Sequence, residues 1–420
     1  MRRFPLLLLF LLPFIVGAKV RSVRRPDPPP LATGPTFSKE IVRIFQQHCQ
    51  SCHHEGDIAP FSLTTFAESK PYAQLVKLMT QTHQMPPWKP VDGCGDFKDE
   101  RRLTQNEIDT IAQWVDDGAP EGNRAELPEP LDFTGGWALG QPDAVYKLPE
   151  AYTPAVGKDT YRCFTIPTNL TSTAYVQAID TRPGDRETVH HVITFVDNTG
   201  ASVALDERDP GPGYTCFGGP GFNLPGTLGG WAPGSRPLEL PSGTAFQLQA
   251  GSRVVLQVHY HPHGAHPHPD QTEIGVYFAK EPPKSLMYIL PIVNQSFTIP
   301  PNDPSYKVPA TWPLPMPAAK LWFVAPHMHL LGKTMKVEAT LPSGASECLI
   351  EIDDWDFNWQ GAYMYKEPVR IPAGSRLSLL ATYDNSSNNP RNPNRPPKPV
   401  SWGEETTDEM CIAFVGVTLD

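Results

Sequence analysis

The sequence is short of charge: Asp, Glu, Lys and Arg make up only 19% of its 420 residues, against 40% hydrophobic residues. Such a balance excludes a disordered chain and leaves enough apolar mass for two or three domains. It also lacks any basic patch beyond the N-terminal arginines, and the net charge is -10. A nucleic-acid partner is therefore not expected, because phosphate contacts need clustered Lys and Arg. Long apolar runs are scarce as well. The one continuous run, Phe4 to Val16, is too short to span a bilayer comfortably. Arg2 and Arg3 precede it and Val16-Gly17-Ala18 offers small residues for cleavage, so residues 1–18 read as a secretory signal peptide. No Cys follows that would mark a lipoprotein. No stable membrane insertion is expected after cleavage, and the expected address is periplasmic or secreted, by bacterial export. Residues 19–35, Pro-rich from Arg24 onward, read as a linker.

Long helices are disfavoured too, since the chain carries 49 Pro and 32 Gly, a composition that favours short strands joined by turns. The exception is residues 36–125. Phe37 to Gln47 has apolar residues at helical spacing (Ile41, Ile44, Phe45), Tyr72 to Met79 repeats this weakly, and Thr104 to Val115 is clearer. There Thr104 followed by Glu107 makes a capping box, and Gly118 stops the helix. Beyond a loop-like stretch at 126–145, strands are expected at Val189–Val196, Ser252–His261, Ile274–Phe278, Leu321–Val324, Met335–Leu341, Leu377–Tyr383 and Ile412–Val417. The expectation is a multidomain chain: a small all-α domain at 36–125, then two all-β sandwich domains at 142–282 and 283–420, divided near Lys280 to Lys284. Asn385 to Lys398 reads as a long surface loop.

Cys49-Gln-Ser-Cys52-His53 is the C-x-x-C-H pattern of covalent haem c attachment. Two thiols at this spacing reach both vinyl groups, and the next residue brings an imidazole to the iron. The expected sixth ligand is Met85, in Gln-Met-Pro-Pro-Trp, with His48, His54 and His83 as rivals. Residues 36–125 resemble a small c-type cytochrome domain in the attachment motif, the later Met-Pro-Pro-Trp and a last helix ending Trp114-Val-Asp-Asp-Gly-Ala-Pro120.

Each β half carries a histidine set of its own. His327-Met-His329 lies in an apolar run of strand character, where residues i and i+2 share a face. Met410, far downstream, offers a thioether, a soft ligand suited to Cu(I) rather than to zinc, magnesium or calcium. Val189-His190-His191-Val192 and Leu256-Gln-Val-His259-Tyr supply three more imidazoles, a set that suits copper or zinc. Adjacent residues of a regular strand face opposite sides, so His190 and His191 can share an ion only if the pleat breaks. His261 shares a strand face with His259 and competes with it. His263, His266 and His268 lie among prolines and read as solvated.

In order along residues 142–420, Thr188-Val-His190-His191, Gly230-Trp-Ala232, Leu256-Gln-Val-His259-Tyr260, His327-Met-His329-Leu-Leu-Gly-Lys333 and Asp408-Glu-Met410-Cys411 resemble the copper type II, ascorbate-dependent monooxygenases, which include peptidylglycine hydroxylase and dopamine β-hydroxylase. The resemblance implies two jelly-roll-like domains and two copper ions. His190, His191 and His259 would hold an electron-storage copper, and His327, His329 and Met410 the catalytic copper that binds O₂. It favours His259 over His261. It implies a Cys163–Cys216 bridge; the family partner of Cys411 falls on Ala381, which leaves Cys348 as a guess for its partner and Cys94 free. Two departures stand out. The carboxylate-binding Arg of amidating members falls on Ala325, and their substrate-contacting Asn and Tyr on Ile412 and Phe414, so peptide amidation is not expected. A haem segment is also foreign to the animal enzymes, which take electrons from ascorbate.

The expected function is a haem- and copper-dependent monooxygenase that hydroxylates a C–H bond of an unidentified small-molecule or peptide substrate with O₂, fed by an external electron donor through the haem. Two other readings stay open: a haem and copper electron-transfer or copper-binding protein without oxygenase activity, and a β-sandwich interaction module. Tyr260 stands between an acid/base role and packing.

Overall fold

The computed structural model describes residues 34–57, 59–133, 136–222, 226–232, 235–261, 268–312 and 315–419. The signal peptide, nearly all of the linker, His263 and His266 lie outside them. Helices open the described chain. A π-helical turn at Phe37–Ile41 runs into α1 (Val42–His48), followed by α2 (Phe66–Ser69), α3 (Ala73–Gln81) and α4 (Gln105–Asp116). The capping box at the start of α4 is formed: Glu107 N donates to Thr104 Oγ1 at 3.3 Å, and Thr104 N donates to Glu107 Oε2 at 2.8 Å. Such a cap stabilises by about 1 kcal/mol. Gly118, at φ 85°, closes the helix in a conformation that costs glycine little. Phe37, Ile41, Phe45, Ile111 and Trp114 form the core of this segment.

The strands of the first sandwich are β1 (Ala144–Lys147), β2 (Thr160–Pro167), β3 (Ala174–Arg182), β4 (Val189–Asp197), β5 (Tyr214–Thr215), β6 (Thr227–Trp231), β7 (Leu238–Glu239), β8 (Thr244–Leu248), β9 (Arg253–Tyr260) and β10 (Glu273–Phe278). One sheet, ordered β5-β2-β9-β4-β6, packs on a second containing β1-β10-β3-β8, and Phe164, Val192, Leu256, Val258, Val176 and Ile274 meet between them. A short helix, Ala201–Asp206, and the chain after it cover the outer side of the first sheet, so β9 is buried on both faces rather than alternating.

The second sandwich has β11 (Ser285–Asn294), β12 (Thr298–Ile299), β13 (Tyr306–Thr311), β14 (Ala319–His327), β15 (Gly332–Thr340), β16 (Ser346–Ile352), β17 (Tyr363–Ile371), β18 (Arg376–Tyr383), β19 (Val400–Ser401) and β20 (Cys411–Leu419). Sheet β13-β18-β15-β16 faces β11-β20-β14-β17. In β13, Val308 and Ala310 point inward and Lys307, Pro309 and Thr311 outward, the alternation expected of a half-solvated strand. At Ser285 and Leu286, β11 also pairs with β8. The sheet therefore continues across the expected boundary at 280–284.

The expectation for Cys94 is corrected by the course of the segment that carries it. Residues 88–98 leave the helices and lie along the second sandwich: Val91 N donates to Glu351 O at 2.9 Å, Lys98 N donates to Met364 O at 2.7 Å, and Phe97 enters that sandwich's core. Cys94, expected free, is bonded there to Cys348, 254 residues away. Cys411 keeps a buried free thiol, while Cys163 and Cys216 are bridged. The Asn-rich stretch after β18 is the expected surface loop, most of its residues exposed, but three asparagines hold it down. Asn385, Asn389 and Asn392 are buried, and Asn385 Nδ2 donates to Pro300 O (3.1 Å) and Lys398 O (2.9 Å), fastening the loop to the sandwich.

Candidate metal centre

The break in the pleat demanded by adjacent histidines is present. Along β4 and β9 the pairing runs Val189 to Tyr260 and then His191 to His259, with a bulge between, so His190 is the extra residue of the strand. The result brings His190 Nδ1 to 3.3 Å and His259 Nδ1 to 3.4 Å from His191 Nδ1. Ligand atoms of all three residues lie within 4.8 Å of one another. Burial lowers the pKa of His190 to about 3 and that of His191 well below the usual value, and it lowers His259 as well. Neutral rings with nitrogens this close could hold a metal ion between them.

Around this set sit residues that carried no motif. Tyr161 stacks on His259, centroids 4.1 Å apart, and donates its hydroxyl to Glu404 O at 3.0 Å. Asp159 pairs with His261 Nδ1, accepts from Thr406 Oγ1 at 2.6 Å, and lies 3.7 Å from His259 Nε2. That buried Nε2 has no hydrogen bond in the described structure; Asp159 is the charge it faces. His261 thus ends in an ion pair, although Asp159, His259 and His261 also group closely. Tyr260 is fully buried and donates to Asp270 Oδ2 at 2.8 Å, a packing role.

In the second sandwich, Met328 is buried in the core while His327 and His329 point the other way, ring centroids 5.1 Å apart. His329 Nδ1 is 3.2 Å from Asp408 O, a group that only accepts, so Nδ1 carries the proton and Nε2 the lone pair. His327 Nδ1 meets Gln360 Oε1, while Gln360 Nε2 donates to Phe357 O at 2.8 Å, so His327 is fixed in the same tautomer. His327 pairs with Ile412 across β14 and β20, and Met410, two residues before Ile412, is buried. Glu409 is fully buried beside it and accepts from His329 N (2.9 Å) and Leu331 N (2.5 Å). Trp355 lies under the turn, its Nε1 donating to His329 O at 3.1 Å. A Cβ on Gly332 would meet that indole at 2.6 Å.

The two histidine sets meet at one ring. Phe357 stacks on His190 (5.2 Å, 16°) and stands edge-on to His329 (5.8 Å, 86°). A cavity of about 1170 Å³ adjoins this point, and His190, Phe357 and Gln360 line it together with Cys49, Cys52, His53 and Met85. Cys52 N and His53 N both donate to Cys49 O (3.1 and 3.0 Å), which gathers the C-x-x-C-H residues on one turn. His53 Nδ1 donates to Phe61 O at 3.0 Å and leaves Nε2 as its lone-pair nitrogen. Of the rivals to Met85, His48 faces Glu107 at 3.2 Å, His54 faces Asp57 at 3.3 Å, and His83 is exposed. His268 lines the same cavity.

Residues 285–416 match the family model of the copper type II ascorbate-dependent monooxygenase, C-terminal domain. The match covers less than half of the chain and takes in His327, His329 and Met410. No curated protein matches the chain. Similar solved structures include the major capsid protein P2 from bacteriophage PM2 (11% identity, TM-score 0.29, 66% of this chain and 96% of that one). Another is PNGase F, a glycosylasparaginase from Flavobacterium meningosepticum (10% identity, TM-score 0.29, 66% and 96%). A third is the infectious bursal disease virus VP2 subviral particle (8% identity, TM-score 0.21, 66% and 71%). TM-scores this low carry no argument. Among the described residues no helix is long and apolar enough to cross a membrane.

Proposed function

We propose that the chain is an exported copper-dependent monooxygenase with haem c in its helical segment, acting on a C–H substrate other than a peptide awaiting amidation. His190, His191 and His259 would hold one copper, His327, His329 and Met410 the other, and Cys49, Cys52, His53 and Met85 the haem. When bound, these groups supply the redox chemistry that puts one oxygen atom of O₂ into a C–H bond and reduces the other to water. The chain's own residues do the rest. Burial keeps the imidazoles unprotonated, and Asp408 O and Gln360 fix the ring faces of His329 and His327. Phe357 stands between the two sets where they approach, and Glu409 ties the His-x-His turn to the start of β20. Ala325, Ile412 and Phe414 share a sheet face with His327 by strand parity and register, and they offer no charge to a substrate carboxylate.

One observation carries the reading: side chains of both histidine sets, distant in sequence and borne by different sandwiches, touch the single ring of Phe357. The family match to the second sandwich supports it, and the cavity shared by the C-x-x-C-H turn and His190 supports the haem relay. The test is oxygen uptake by the reduced, copper-loaded protein with candidate C–H substrates. Uptake stoichiometric with a hydroxylated product is expected. Fast reduction without uptake would instead leave an electron-transfer or copper-binding protein.

A further inference from the structure

The turn Asp356–Gln360 touches both histidine sets from one side. Phe357 lies flat on His190 and edge-on to His329. Gln360, three residues on, holds His327 Nδ1 with its Oε1 and donates its Nε2 back to Phe357 O at 2.8 Å. Asp356 closes the turn by accepting from Trp359 N and Asn358 N, each at 3.0 Å. Trp355, fully buried, anchors it to His329 O. One five-residue turn therefore bears on a ring in each set.

We propose that Phe357 and Gln360 couple the filling of the two metal sites. Metal held by His190, His191 and His259 raises the affinity of His327, His329 and Met410 for metal, and linkage requires the reverse. The inference rests on the two-copper reading above. Its basis is conformational freedom. While the His190 ring can turn, the turn whose Phe357 ring stacks on it can shift as a body, and the Phe357 carbonyl carries with it the Gln360 amide that orients His327. An ion that pins His190 removes that freedom once, and the second ion finds His327 already held and loses less entropy on binding. A chain carrying one ion, hence one stored electron for a two-electron reaction, is then rarer than independent sites would make it.

The test is a competitive titration of the full chain with Cu(II) against a chelator, in the native sequence and in His191→Ala, which disables the first set. The affinity of the His327 set should fall by about 5- to 150-fold in His191→Ala, the usual span of site coupling. Phe357→Ala should erase that difference between the two backgrounds, and Phe357→Tyr, which keeps a ring, should restore it. Gln360→Leu, which leaves the Phe357 ring in place, should also shrink that difference, because it removes the amide that passes the constraint to His327. A difference that persists undiminished in both Phe357→Ala and Gln360→Leu overturns the proposal alone. A native chain that binds no copper at either set overturns the two-copper reading and this proposal with it.

Discussion

Glu409 accepts the backbone N–H of His329 at 2.9 Å, although the two residues are 80 positions apart. The same carboxyl group receives Leu331 N and Met410 N, so one buried side chain fastens both segments expected to ligate the second copper. Burial raises its pKa to about 8 against the pull of those donors. Glu409→Gln sets an amide NH₂ among N–H donors with little change of volume. Copper affinity at the His327 set should fall by about 10- to 100-fold, the usual cost of losing an outer-shell partner, while the His190 set keeps its copper. Copper titration of the variant checks both halves of the statement.

The Cys94–Cys348 bridge fastens the segment between α3 and α4 to the second sandwich. Replacing both cysteines by serine should lower stability by about 2–5 kcal/mol and raise amide hydrogen exchange along residues 88–98. Copper binding should be unchanged, since neither residue belongs to a histidine set. Exchange rates as slow as in the native chain would show that the pairing with Glu351 and Met364 holds the segment without the bridge.

A structural carboxylate predicts a pH effect away from the metal sites. Asp197 is almost fully buried at the end of β4. It accepts from Thr199 N (2.8 Å), Gly200 N (3.0 Å) and Ser202 N (2.8 Å). Burial works against its charged form, but these donors prevail and lower the pKa from 3.8 to about 2. A depressed acid contributes stability in full above its unfolded pKa and loses it as pH falls through the folded one. Asp197→Asn should thus cost about 2 kcal/mol at neutral pH, and the gap should close between pH 3.8 and about 2. Denaturant unfolding of the two proteins across that range measures it.

What the sequence disclosed was local chemistry. The α4 cap could be read because Thr104 and Glu107 are three residues apart, and seven strands because Val, Ile and aromatic residues crowd them. The histidine motifs were legible by spacing, and the broken pleat at His190 followed from the requirement that neighbours share an ion. Strands such as β6, with two adjacent glycines, and β17, which carries Lys366, Glu367 and Pro368, hide their pattern because neighbouring strands rather than their own residues decide their pairing. Cys94 was misread because its partner lies 254 residues away. Asp159, Phe357, Gln360 and Glu409 sit singly on turns and strand ends, and their relation to the histidines exists only once both sandwiches are folded.

Copper X-ray absorption of the reduced, copper-loaded protein tests the central claim most directly, because it reads whether a thioether and imidazoles from distant segments share an ion. The account predicts one sulfur neighbour for every two copper ions, lost in Met410→Ile while the haem spectrum of the variant stays intact. A sulfur signal that survives Met410→Ile, or a purified protein that carries iron and refuses copper, would contradict it.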